Sequence, residues 1–274
     1  MKKLLVPTDF SPQAENALKV AAQLAKKHHC DIHLLNIIEL PLHKVDPIIP
    51  YNDLPEAIYF MKLARKRFEQ LTRKNYLTGI KIHEHVEFDD IFRGVMALCE
   101  KEKIDLIIMG SKGSNGLTEM LIGSNTEKVV RTSDVPVLVI KKEHENFNID
   151  TFVFASDFND ESKATYKTAI DFAALLKAKV HLLLVNTPNK FMTTIEAEER
   201  IKNFTESVDF KNFTINIYND ETIEAGIMNF AQSIKADLIG MSTHGRQGIS
   251  HFFNGSISED LVNHAKRPVL TFKI

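Results

Sequence analysis

The sequence predicts an α/β protein built as two tandem doubly wound domains, each a five-stranded parallel sheet of order 3-2-1-4-5 flanked by helices. Three observations carry that expectation. One glycine pattern occurs twice, as MGSKGSNGLTEMLIGSNTEKVV from Met109 to Val130 and as MSTHGRQGISHFFNGSISEDLV from Met241 to Val262, with Gly113 and Gly245 displaced by 132 positions (245 − 113). The similarity extends on both sides: LLVPTDFS from Leu4 matches FVFASDFN from Phe152, IHLLNI from Ile32 matches VHLLLV from Val180, and VPVLVI from Val135 matches RPVLTF from Arg267. Short apolar runs alternate with segments of helical period, the signature of parallel strands joined by right-handed helical crossovers.

The elements of the first repeat follow in order. Leu4 to Val6 is a buried type of strand. Pro12 to Lys27 places Ala14, Ala17, Leu18, Ala21, Leu24 and Ala25 at helical spacing, behind a Ser11 N-cap and a proline at the first helical position. Ile32 to Ile37 is the second strand and Leu54 to Tyr76 a long helix. Ile80 to Val86 alternates as a strand should, Asp90 to Lys103 is helical, and Leu106 to Met109 is an apolar strand. The glycine loop comes next, then a helix starting near Ser124 and a last strand from Val137 to Ile140. The offset between repeats falls from 148 to 132, so the first repeat holds extra residues, which the proline-rich stretch Pro41 to Pro55 accommodates. The polar run Lys141 to Asp150 reads as a linker, which sets the expected domains at 1–142 and 150–274.

The chain has 274 residues, 44% hydrophobic and 26% charged, with a formal net charge of −2. That is the profile of two globular domains, with no global basic field for nucleic acid. No apolar stretch approaches the ~20 residues of a membrane helix, and the short apolar run at the N-terminus is broken by Asp9, so the expected location is cytoplasmic, with no membrane partner. The two cysteines, Cys30 and Cys99, correspond to alanines in the second repeat. A role common to both repeats therefore cannot use them, and they read as buried thiols.

In such a sheet a ligand lies beyond the carboxyl ends of the strands, where the strand order reverses. Two segments reach that crevice. The turn after the first strand is acidic, with Asp9 in one repeat and Asp157, Asp160 and Glu161 in the other; a carboxylate at a helix start suits the dipole and repels phosphate. The glycine loop carries Lys112, no acidic residue from Gly110 to Thr118, and a Gly123-Ser124-Asn125 step into a helix, which offers amides to an anion. Phosphate is thus expected at the loop, and a ribose hydroxyl or base amino group at Asp9. No P-loop and no G-x-G-x-x-G after the first strand are present.

The spacing G-x2-G-x9-G-S, formed by Gly110, Gly113, Gly123 and Ser124, resembles the ATP-binding signature of universal stress proteins, and the opening LLVPTDFS, the LLNI strand and the closing VPVLVI are in the same style. The resemblance covers both repeats. It implies an ATP site in which Pro7, Thr8 and Asp9 line the adenosine pocket, Ile37 lies against the base, Met109 and Gly110 sit near the ribose, and Lys112, Gly113, Gly123, Ser124 and Asn125 belong to the phosphate side, with Mg or Mn as the accompanying ion. The matching second-repeat positions are Ser156, Asp157, Val185, Ser242, Gly245, Gly255 and Ser256. Ala155 replaces the proline and Ser242 replaces the first glycine, which puts a side chain where a ligand would approach the backbone. By the same resemblance the last strand of each repeat is an edge through which the repeats pair as a pseudo-dimer within one chain; homodimerisation stays open. An ATP-binding regulatory or stress-response module is the leading reading. A non-catalytic interaction scaffold with unidentified protein partners and a slow ATPase are the alternatives, and no base or nucleophile constellation marks the chain as an enzyme.

Several features have plainer readings beside functional ones. Glycine loops can be turns, and Asp9 and Asp157 can merely cap helices. His83 and His85 face one side of a strand, but two ligands do not make a metal site. The basic run from Lys62 to Lys74 reads as the wet face of a helix. Phe252 and Phe253 fit either closure over a ligand or packing between repeats.

Overall fold

A computed structural model describes residues 1–39, 54–111, 123–206, 208–243 and 261–274. They form two compact units, Met1–Gly110 with Glu143–Glu145, and Ser111–Lys142 with Asn146–Ile274.

The first unit runs β1 (Lys3–Pro7), α1 (Pro12–His28), β2 (Asp31–Ile37), α2 (Leu54–Thr72), β3 (Ile82–Glu87), α3 (Ile91–Glu102) and β4 (Leu106–Gly110). Its strands lie in the order β3-β2-β1-β4, all parallel. The apolar runs predicted as strands become the sheet because both of their faces are covered: Leu4, Leu5, Val6, Ile32 and Leu34 are fully buried. The alanine-rich stripe of α1, including Ala17, Ala21 and Ala22, is also buried, and side chains this small let the helix lie close to the sheet. Ser11 Oγ accepts the Ala14 amide at 3.2 Å and Pro12 opens the helix, as the sequence predicts.

The second unit holds α4 (Ser124–Thr132), β5 (Val137–Ile140), β6 (Thr151–Ala155), α5 (Lys163–Leu176), β7 (Lys179–Asn186), α6 (Thr194–Thr205), β8 (Phe213–Asn219), α7 (Ile223–Ser233), β9 (Leu238–Thr243) and β10 (Val269–Lys273). Residues 261–264 are also helical. The sheet order is β5-β10-β9-β6-β7-β8, with every pair parallel except β5 on β10. Strand β5 therefore clusters with the second unit.

A lysine at the end of each strand of that antiparallel pair, Lys141 just after β5 and Lys273 closing β10, reaches a helix end. Lys141 is 7% exposed, and its ammonium donates to the Val262 carbonyl. Lys273 donates to the Thr132 carbonyl at the end of α4, 3.3 Å away, and pairs with Asp134 at 2.7 Å. Both place a cation at the negative end of a helix dipole. Burial lowers the Lys141 ammonium to about 8.

Two expected elements differ. The helix expected over Leu54 to Tyr76 stops at Thr72, because Lys74 is extended and a single 3-10 turn, Asn75–Leu77, follows. The stretch read as a polar linker is anchored: Phe147 and Ile149 are buried, Lys19 pairs with Glu143, and Gln23 donates to the His144 carbonyl at 2.9 Å. Most of the proline-rich insert lies outside the described residues.

Candidate nucleotide-binding site

The first turn of the first unit is locally determined. The Thr8 amide donates to Leu35 O at 2.8 Å, and Asn36 Nδ2 donates to Thr8 O at 2.8 Å, so the end of β1 stays tied to β2. Beyond it Phe10 adopts φ 65°, a left-handed conformation uncommon for a bulky residue. Two side-chain acceptors close the turn: Thr8 Oγ1 takes the Phe10 amide at 3.0 Å, and Asp9 Oδ1 takes the Ser11 amide at 2.9 Å. The Asp9 carboxylate is exposed. Among the described residues its second oxygen has no hydrogen-bond partner.

This turn forms one wall of a cavity of about 440 Å³ that includes Thr8, Asp9 and Ser11; Arg67, Gln70 and Lys74 form the facing wall. The volume lies within the range of small-molecule sites. Lys74 pairs with Glu15, which Tyr76 Oη also reaches at 3.3 Å. Burial acts to raise the Glu15 carboxyl, but Lys74 and Tyr76 outweigh it and leave the group below its ordinary value. Glu15 and Lys74 thus satisfy one another, while Asp9 and Arg67 face the cavity without an ion-pair partner among the described residues.

The other described residues expected at the site have packing roles of their own. Ile37 packs toward α3: a Cβ on Gly94 would lie 2.7 Å from Ile37 Cδ1. Met109 is a buried core residue. Gly110 is needed for packing, since a Cβ there would lie 2.5 Å from the Gln13 carbonyl carbon and 3.1 Å from the Ala14 nitrogen of α1. Gly123 is the N-cap of α4 and supplies no side-chain acceptor, whereas α1, α3, α6 and α7 are all capped by side chains; Ser124 and Asn125 are exposed beside it. Gly123 itself thus offers no side-chain cap to the first turn of α4. Lys112, Gly113, Gly245, Gly255, Ser256, Phe252 and Phe253 lie outside the described residues.

The second repeat keeps the turn and closes it. Ser156 Oγ accepts the Phe158 amide at 3.0 Å, and Phe158 has φ 54°. Asp157, however, is 1% exposed and fully engaged: it accepts from the Asn159 amide at 3.3 Å, from Asn159 Nδ2 at 2.6 Å and from Ser162 Oγ at 3.4 Å. Val185 meets Gly226 as Ile37 meets Gly94, with a Cβ on Gly226 lying 3.1 Å from Val185 Cγ2. Ser242 occupies the Gly110 position without clash because the neighbouring helix begins later. A 3-10 turn at Asp160–Ser162 replaces its first turn, and Ser242 Oγ lies 2.6 Å from Thr165 Oγ1. The serine was expected to obstruct a ligand; its side chain is instead fully buried and tied to α5.

A universal stress protein family model matches residues 1–141 and 214–273. The chain belongs to the universal stress protein family. Over 147 residues it is 30% identical to Universal stress protein MJ0531 of Methanocaldococcus jannaschii, covering 52% of this chain and 82% of that protein. Universal stress protein Slr1230 of Synechocystis aligns over 292 residues at 23% identity, spanning 100% of both chains, so the tandem arrangement has a full-length counterpart. The solved universal stress protein from Archaeoglobus fulgidus matches 99% of this chain and 98% of its own at a TM-score of 0.77 and 23% identity, a likeness of fold. In this universal stress protein the sequence marked Thr8 and Asp9, which share the cavity, and missed its facing wall of Arg67, Gln70 and Lys74. It also missed the glycines Gly94 and Gly226, although they recur at the same 132-residue offset as the loop glycines.

The histidine pair is engaged by neighbouring side chains. His83 Nε2 contacts Asp31 Oδ2 at 3.0 Å and His85 Nε2 contacts His33 Nδ1 at 3.1 Å. No group of three or more candidate ligands assembles among the described residues. Cys30 and Cys99 are buried and unpaired, and burial pushes the Cys99 thiol up to about 12. No described helix is long and apolar enough to cross a membrane.

Proposed function

We propose that this chain is a cytoplasmic, non-catalytic regulatory protein of the stress response that binds an adenine nucleotide, ATP, in its first repeat. The observation that carries the proposal is the contrast between the two aspartates. Asp9 is exposed on a ligand-sized cavity, with one carboxylate oxygen unengaged among the described residues, whereas Asp157 is 1% exposed and engaged by Asn159 and Ser162. Asp9 accepts a ribose hydroxyl or a base amino group. Lys112, Gly113 and the Gly123-Ser124-Asn125 step take the phosphates, and a helix start whose N-cap is a glycine suits them. Mg or Mn would be held mainly by those phosphates, because the described residues assemble no ligand cluster of their own. The second repeat serves as a structural partner, and the antiparallel pairing of β5 with β10 supports an intrachain pseudo-dimer of repeats 1–142 and 150–274.

Thermal melting during an ATP titration tests this. At 100-fold excess over Kd, binding adds about 2.7 kcal/mol and raises Tm by several degrees. If ATP, ADP and AMP all fail to move Tm, with and without magnesium, the proposal is wrong.

A further inference from the structure

The left-handed phenylalanine recurs, and so does what holds it. In the first unit Phe10, at φ 65°, receives the edge of Phe68 from α2 with ring centroids 5.1 Å apart, and the Arg67 guanidinium lies 5.4 Å from the Phe10 ring centroid. In the second unit Phe158, at φ 54°, receives the edge of Phe204 from α6 at 5.3 Å, and Arg200 of the same helix donates to Asn159 Oδ1 at 3.4 Å. In both units the helix after the second strand sends one phenylalanine and one arginine to the same turn. A bulky residue at positive φ is unfavourable and persists where its surroundings over-determine it. Arg67 belongs to the basic run Lys62 to Lys74, whose reading as a solvated face leaves this contact unexplained.

We propose that Arg67 and Phe68 are positioning residues for Asp9: they clamp Phe10 in its left-handed conformation, and the clamped turn aims the Asp9 carboxylate into the cavity. The mechanics follow from the bonds on either side of Phe10. Its amide is held by Thr8 Oγ1 at 3.0 Å, and the next amide, Ser11, is held by Asp9 Oδ1 at 2.9 Å. If Phe10 relaxes to negative φ, the Ser11 amide turns away and Asp9 loses its anchor. Phe68 is fully buried and fixes the ring from the core, while Arg67 is exposed and is a wall of the cavity itself. A displacement of α2 would therefore reach Asp9 without touching a ligand. The consequence for affinity rests on the nucleotide reading above; the clamp does not.

Arg67→Ala and Arg67→Lys, each alone and combined with Phe10→Gly, separate these possibilities in the full chain. The readouts are hydrogen exchange of the Ser11 amide without ligand and ATP affinity by calorimetry. Arg67→Ala should speed Ser11 exchange and weaken ATP binding, each about two- to five-fold, the size of an exposed cation–π contact. Arg67→Lys, which keeps a cation over the ring, should restore most of both. With Phe10→Gly, whose glycine adopts φ 65° without penalty, Arg67→Ala should change neither. Unchanged Ser11 exchange in Arg67→Ala overturns the clamp. So does an equal loss of ATP affinity in the glycine background, which would mean that the guanidinium meets the ligand directly. If Phe10→Gly fails to fold, the alanine and lysine variants still decide the exchange result. If the unaltered chain binds no ATP while Arg67→Ala still accelerates exchange, the nucleotide reading fails and the clamp stands.

Discussion

Lys141→Met should remove a pH dependence of stability that the buried ammonium creates. Lys141 is 7% exposed, and desolvation lowers it to about 8 from an ordinary value of 10.5. The unfolded chain therefore holds this proton more tightly than the folded one, so folding stability rises with pH through that window. Below about pH 8 both states are protonated and the full penalty applies, roughly 3 kcal/mol at 1.36 kcal/mol per pH unit. Between about pH 7.5 and 10 the original chain should recover about 2 kcal/mol that the methionine variant never lost. The variant forfeits the bond to the Val262 carbonyl at every pH, an offset of about 1 kcal/mol that does not tilt the comparison. Urea unfolding of both proteins at half-unit pH steps reads the difference directly, and other groups that titrate in this range cancel between them. Stability curves that stay parallel from about pH 7.5 to 10 would show that Lys141 is hydrated or otherwise compensated, and would refute the reasoning.

Five further outcomes follow from the packing. Asp157→Ala should destabilise the fold by about 1–3 kcal/mol in urea unfolding, because Asn159 and Ser162 lose a buried acceptor; Asp9→Ala, at an exposed carboxylate, should cost less than about 1 kcal/mol yet weaken ATP binding measurably by calorimetry. Gly110→Ser should cost about 1–3 kcal/mol, since its Cβ would overlap the backbone of Gln13. Ser242→Gly, by contrast, loses a hydrogen bond and side-chain packing without any overlap to relieve, a cost of about 1 kcal/mol in the same assay. His33 is 1% exposed and packs against His83 and His85, and burial with these neighbours lowers it to about 4. Its unfolded value is higher, so stability should fall as pH drops from about 6.5 toward 4, by up to roughly 3 kcal/mol, and His33→Leu should flatten that slope in pH-dependent melting.

Much of the fold was legible because burial writes itself into composition. The runs at Leu4, Leu106 and Val137 are apolar on every position, as strands covered on both faces must be, the run at Ile32 is broken only by His33 and Asn36, and the helices between them carry their caps at Ser11 and Asp90. The end of α2 was not legible. Leu71 and Leu77 are both buried, so the apolar spacing continues past Thr72 although the helical backbone does not. Nor was the direction of the β5–β10 pair, since an apolar strand at the end of a repeat carries no mark of whether its neighbour runs parallel or antiparallel.

The site was legible in part for a related reason. A glycine in sequence says that a Cβ is unwelcome, not what would meet it. Gly110 was read as room for a ligand, and the structure fills that room with α1. Asp9 and Asp157 stand in the same motif, and what separates them lies downstream, where Asn159 and Ser162 fold back on the second carboxylate. Arg67 escaped notice because it sits in a basic run that any solvated helix could show; its contact with Phe10 exists only once α2 packs beside the first turn.

The exchange of Gly110 for Ser242 also constrains how the two copies could have diverged. A serine at the end of the fourth strand is compatible with a helix that starts late, and a helix that starts early demands a glycine there. Neither change is neutral alone: serine before the helix retreats would collide with a carbonyl, and retreat before serine would leave Thr165 Oγ1 without the hydroxyl it now faces. The strand end and the start of the following helix are therefore coupled, with the steric conflict of serine against an early helix as the larger of the two penalties. Restoring a first-repeat site in the second repeat would therefore take changes at both the strand end and the start of α5.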